Sequence, residues 1–146
     1  MKKFTKYALL LLTPLMLLAF ISSEKSREEA LPQHKIVMQL TADNPKVYKG
    51  LLKQLNNLKN GWGDSVVIEV VVHGPGMSMM RESTTTFADD IAAAQKRGVI
   101  FAICENTLKF KKIPVEDLLP GVTFVPMGIA EIVEKQEAGW SYIKAG

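Results

Sequence analysis

The sequence predicts a doubly wound α/β domain, a mostly parallel sheet of about five strands with helices on both faces. Two observations carry that expectation. Short apolar, β-branched runs alternate with stretches whose apolar residues recur at helical spacing, and Gly, Pro or Asn punctuates the junctions. The strand runs are also too uniformly apolar to keep one face in water, as expected of parallel strands covered on both sides. A repeated β-α order of this kind builds right-handed crossovers.

The first predicted strand is Lys35-Ile36-Val37-Met38-Gln39-Leu40. Asp43 or Asn44 is placed to cap a helix with Pro45 at its first position. Val47, Leu51, Leu55 and Leu58 mark the buried side of that helix and Leu52 widens it, until Asn60-Gly61 ends it with Trp62 packed beneath the turn. Ser65 to Val72 is the second strand, broken by Gly74-Pro75-Gly76. A helix over about Phe87 to Arg97, with Ile91 and Ala94 inward, stops at Gly98. Val99-Ile100-Phe101-Ala102-Ile103-Cys104 is the third strand, followed by a short helical piece. Pro114 to Leu119 is expected to start another helix, with Pro114 in its first turn. Gly121 leads into a fourth strand, Val122 to Pro126. The last helix, about Ile129 to Ala138, is expected to turn Ile129, Ile132, Val133 and Trp140 inward, and Ser141-Tyr142-Ile143-Lys144 forms an edge strand.

The N-terminus reads differently. Lys2, Lys3 and Lys6 precede a 15-residue apolar run from Tyr7 to Ile21, closed by Ser22-Ser23. A basic segment, an apolar core and small polar residues have the layout of a secretory signal peptide. The run is shorter than a spanning helix and is interrupted by Pro14. Residues 1–23 are therefore expected to direct export to the periplasm or outside the cell, or to remain as an uncleaved membrane anchor. No cysteine stands directly after the apolar core, so a lipoprotein anchor is not expected. Residues 24–33, charged and closed by Pro32, read as a flexible linker, and residues 34–146 as the domain. About 120 residues after the leader suffice for one core.

Three of the 18 Lys and Arg residues, and none of the 15 Asp and Glu residues, lie in residues 1–23. The rest of the chain is balanced in charge. It carries no electrostatic footprint for nucleic acid and no polybasic membrane patch, so membrane contact is expected only through an uncleaved leader.

Cys104 is the only cysteine. A single thiol excludes an intrachain disulfide framework and leaves a thiol that is buried, reactive or paired with another molecule. At the carboxyl end of a parallel strand it occupies the edge where ligands gather in such sheets, and nearby helix N–H groups favour the thiolate. The same edge receives Thr41-Ala42-Asp43-Asn44, His73-Gly74-Pro75-Gly76, Cys104-Glu105-Asn106-Thr107 and Pro126-Met127-Gly128. His73 is placed either to take the thiol proton or to cap the strand end. Glu105 points to solvent, and Asn106 and Thr107 either donate hydrogen bonds or cap the next helix. Gly74, Gly76 and Gly128 allow close backbone approach, and Met127 flanks the crevice. Gly74-Pro75-Gly76 has neither dinucleotide nor P-loop spacing, and no organic cofactor is expected.

Residues 99–108, Gly121 to Val133 and Gln136 to Lys144, with His73-Gly74-Pro75-Gly76 and Leu55-Asn56-Asn57-Leu58, resemble the DsrE/DsrF-like family over about His34 to Lys144. The likeness is to its poorly characterised branch. It implies a flavodoxin-like three-layer α/β/α sandwich that assembles as homotrimers or homohexamers. It also implies a strand-end cysteine, here Cys104, that carries sulfur as a persulfide between a donor and an acceptor protein without a cofactor. The relay members of the family work in the cytoplasm, so an exported member handles sulfur apart from those partners. Gln136 reads as structural.

Two other classes fit the same residues. Met77, Met79, Met80 and Met127 with Cys104 are soft ligands for Cu(I), a reading that requires the methionines to point toward the thiol. Alternatively, Cys104 is a core residue of a non-catalytic interaction module. The sequence favours a carrier over a turnover enzyme.

Overall fold

The structure, a computed structural model, describes residues 33–146; the leader and the linker up to residue 32 lie outside the described residues. The chain runs β1 (His34–Leu40), α1 (Pro45–Trp62), β2 (Val66–Val72), α2 (Ala88–Lys96), β3 (Val99–Cys104), α3 (Glu105–Lys111), β4 (Thr123–Val125), α4 (Gly128–Glu137) and β5 (Ser141–Lys144). Short 3₁₀ segments occupy Gly63–Ser65, Gly74–Met80 and Val115–Asp117. The five strands are ordered β4-β3-β2-β1-β5 and every pairing is parallel. This is the doubly wound α/β architecture expected from the alternating pattern, and it is consistent with the flavodoxin-like fold that the family resemblance implies.

Strand parity divides the interior into two cores. Ile36, Met38, Leu40, Ile68, Val70, Val72, Phe101 and Ile103 face the larger one, where α1 supplies Tyr48, Leu51 and Leu55 and α2 supplies Ile91. Val37, Val71, Ala102 and Val125 face the other side, where Ile132 of α4 covers them. Three successive crossovers step across the sheet in one direction. The connection through α4 then returns across the second face to set β5 beside β1.

Local signals explain most boundaries. The Asn44 side chain caps α1 by accepting the Lys46 N–H at 2.9 Å. Asp43 instead accepts the hydroxyls of Tyr48 at 2.9 Å and Ser78 at 3.0 Å. The helix passes through Asn60-Gly61 and ends at Gly63, whose φ of 54° is the left-handed stop. Trp62 consequently lies at the surface, stacked on His34 with ring centroids 4.0 Å apart, and not beneath the turn.

Two further expectations are corrected. Pro114 to Leu119 forms only the 3₁₀ turn Val115–Asp117. The Asp117 carboxylate accepts from Arg81 Nε at 2.6 Å and from the Ser83 N–H and hydroxyl at 2.9 and 2.8 Å, while the Leu119 N–H bonds to the Met80 carbonyl at 2.9 Å. Backbone groups committed to another segment cannot close helical turns. On α4, only Ile132 of the three expected aliphatic residues is buried; Ile129 and Val133 are 57% and 45% exposed.

The rotation of α4 has a polar cause. Glu69, in the middle of β2, is buried beneath the helix, and its Oε2 meets Lys135 Nζ at 2.6 Å. Lys135 also lies 3.4 Å from Glu131 and over the Trp140 ring at 4.4 Å. Glu69 Oε1 has no partner among the described residues. Burial, the largest effect, pushes the Glu69 carboxyl above its ordinary range despite Lys135, while Glu69 and Glu131 together raise Lys135 against its own burial.

Lys135→Met removes the counter-charge and leaves a buried carboxylate. The expected loss is about 3 kcal/mol at neutral pH, read from urea midpoints. A carboxyl raised in the folded state costs stability as pH rises through that raised value, so the deficit should shrink on acidification as Glu69 takes up a proton. A deficit independent of pH would show that Glu69 is not the group left uncompensated.

Candidate functional site

The neighbours β3 and β4 release the chain toward opposite faces. After β3, α3 sends Leu108 into the larger core; after β4, α4 sends Ile132 into the smaller one. Such a reversal opens a crevice at the carboxyl edge of a parallel sheet. Cys104 is the last residue of β3, in register with Val125 of β4, and stands at that reversal.

Phe101 and Ile103 face the larger core, so parity turns Cys104 with Ala102 toward α4. The residue is 5% exposed. Its sulfur accepts the N–H of Gly128, the first residue of α4, at 3.2 Å. Burial alone would push the thiol up. The Thr107 hydroxyl and the backbone N–H groups of Gly128, Thr107 and Asn106 outweigh it and hold the thiol below its ordinary value. Thr107 Oγ1 accepts the Gly74 N–H at 3.1 Å, which leaves its own proton free for the sulfur. The Asn106 N–H also reaches the Pro126 carbonyl at 3.3 Å, tying the start of α3 to the end of β4. Two helix N-termini thus meet at one sulfur, and their dipoles favour an anion there.

The sequence pattern of the DsrE/DsrF-like family matches residues 34–145. The chain belongs to the DsrE/DsrF-like family. The fold is similar to that of the protein of unknown function MTH1491 from Methanobacterium thermoautotrophicum, at 31% identity and a TM-score of 0.73, over 77% of this chain and 99% of that one. It is also similar to the conserved protein of unknown function BT1422 from Bacteroides thetaiotaomicron, at 21% identity and a TM-score of 0.60, over 75% and 93% of the two chains. No curated protein matches this sequence. Membership of the DsrE/DsrF-like family places the domain in a sulfur-relay-related group.

The other residues expected at this DsrE/DsrF-like edge take distinct places. Gly74 has φ +57°, a left-handed conformation that aims its N–H at Thr107. A Cβ on Gly128 would lie 3.2 Å from His73 Cβ and 3.3 Å from Cys104 Cβ, so this glycine lets α4 settle between the two side chains. Gly76 is architectural: a Cβ there would stand 2.6 Å from the Leu40 carbonyl oxygen, which also accepts the His73 N–H. Asn106 contributes its backbone, and its residue is exposed. Met127, 52% exposed, leads into α4. Glu105 lies 4.0 Å from Lys109 on the outer side of α3.

His73 makes no hydrogen bond to the thiol among the described residues. Its Nε2 lies 2.8 Å from the Gln39 amide nitrogen, and the Gln39 carbonyl oxygen accepts the Tyr142 hydroxyl. Burial lowers the pKa of His73. Gln39 and Tyr142 are the members of this edge that sequence reasoning missed. The available signal was Gln39 itself, a polar side chain within an apolar strand.

The methionine reading fails on its own requirement. Met77, Met79 and Met80 are buried in the larger core, on the face of the sheet opposite Cys104. Gln136 is exposed and bonds the Ile132 carbonyl at 3.2 Å, one turn back on its own helix.

Thr107→Val removes the hydroxyl donor. The midpoint of Cys104 alkylation with pH should move up toward that of an ordinary thiol, with a several-fold slower rate at neutral pH. Thr107→Ser should restore both, and an unmoved midpoint would remove Thr107 from the site. Gly76→Ala should cost about 3 kcal/mol in urea unfolding, because the atom it meets is backbone and cannot step aside.

Proposed function

We propose that this protein is an exported sulfur carrier whose Cys104 holds sulfane sulfur as a persulfide. The observation that carries the reading is the hydrogen-bonded sulfur: a thiol at a sheet-edge reversal that accepts the Gly128 N–H, beside the first turn of α3, and is held toward its thiolate form. Family membership supports the same chemistry.

The thiolate attacks a sulfane sulfur of a polysulfide. A bond from Sγ to that sulfur forms as the adjoining S–S bond breaks, and the shortened polysulfide leaves with the bonding electron pair. No external oxidant enters, because the transferred sulfur arrives already oxidised. Delivery is the reverse exchange, with an acceptor thiolate attacking the outer sulfur and Cys104 leaving. A lowered pKa raises the fraction of Cys104 present as the attacking thiolate in uptake and speeds its departure in delivery, so the donors around Sγ assist both directions. At 5% exposure the sulfur suits a slender, unbranched donor better than a bulky thiol.

The basic leader with its apolar run supports export, which separates this chain from cytoplasmic relay partners. Self-assembly is proposed with it. Met127, Ile129 and Val133 stand exposed beside the crevice, and a second copy over α4 would cover them next to Cys104.

Intact mass after exposure to polysulfide tests the reading. The expected result is a gain of one or more sulfur atoms, reversed by reductant and absent in Cys104→Ser; the same spectrum shows whether residues 1–23 have been removed. No gain, with a native thiol blind to alkylation, would make Cys104 a core residue of a binding module and end the carrier reading.

A further inference from the structure

We propose that the crevice between α1 and α2 is a second binding site, for a small carboxylate with a short apolar or aromatic body. It lies at the amino edge of the sheet and is independent of the sulfur chemistry. The rise of β3 separates its floor at Val99 from Cys104 by roughly 16 Å.

The crevice encloses about 140 Å³. Leu52, Leu55 and Val99 give it apolar walls, and Lys59, Arg97, Asn56 and Asp90 bring polar groups to it. Lys59 is the unusual member. Its residue is 8% exposed, and its ammonium group donates to the Val66 carbonyl at 2.8 Å. An ammonium carries three donors, so two remain. Arg97 is held by two neutral acceptors, Asn56 Oδ1 at 2.5 Å and Asn60 Oδ1 at 2.9 Å. Among the described residues, neither cation has a carboxylate within ion-pair distance.

A buried cation without a counter-charge is costly unless something supplies one. Two cations and the single carboxylate of Asp90 leave one positive charge on the lining, which selects a monoanion over a phosphate dianion. The volume sets the body of the ligand: a cavity of about 150 Å³ lined by aliphatic side chains is large enough for benzene. An aromatic or short aliphatic body against Leu52, Leu55 and Val99, with its carboxylate toward Lys59 and Arg97, uses both halves of the lining.

Benzoate, with the isosteric neutral benzamide, is the probe. In an amide-resolved NMR titration, benzoate should give saturable shifts centred on Asn56, Ala94 and Val99. Benzamide should bind on the order of tenfold more weakly, and Arg97→Gln and Lys59→Met should each weaken benzoate by a similar factor. Arg97 is exposed, so its variant keeps the test intact if Lys59→Met fails to fold. Non-saturating shifts, equal affinity for benzamide, or benzoate binding unchanged in Arg97→Gln would overturn the proposal.

Discussion

A parallel sheet has to be covered on both faces, and in the described residues one ten-residue helix, α4, is what covers the second. Much of the architecture depends on how that helix is held. Its single buried aliphatic residue, Ile132, closes a core far smaller than the one under α1 and α2. The Glu69–Lys135 contact fixes its middle, and Gly128, wedged among His73, Val71 and Cys104, fixes its start. The grip that seats the helix also delivers its first N–H to the sulfur.

Positioning by neutral donors gives the thiol a particular character. No lysine, arginine or histidine is among the groups that lower it; a hydroxyl and three peptide N–H groups do so. Peptide donors at helix ends carry no protonation equilibrium of their own, so the environment of the sulfur stays constant where a histidine partner would switch. His73, the one nearby group with an ordinary value close to neutrality, is tied to Gln39 and held lower by burial.

Strand-level features were legible because their signals are local. Val99 to Cys104 is uniformly apolar and follows Gly98, so both its limits and the placement of Cys104 at a sheet edge could be read directly. Thr107 and Gly128 were legible as residues of the carboxyl edge, because the alternating order brings the strand ends together, although both lie in the first turns of helices. What remained hidden depends on distant partners. Glu69 meets Lys135 across 66 positions, and Asp117 is taken by Arg81 across 36, a contact that replaces the expected helix. The exposed Ile129 and Val133 show the same limit: periodicity marks an apolar stripe without saying what covers it. Gln39 and Tyr142 are 103 residues apart, and only the return of the chain to β1 joins them.

The link between α2 and β3 is two residues long, Arg97 and Gly98, and Gly98 holds φ +81°. Side chains in a strand alternate, so inserting or deleting one residue there would reverse the parity of β3. Ile103 would then face α4, and the thiol would enter the aliphatic core, away from every donor that shapes it. Segments joining α3 to β4 carry no such arithmetic, since eleven residues there can absorb a change in length. In this chain a change of length can therefore be absorbed beyond α3, whereas in the two-residue step before β3 it would change which face the sulfur sees.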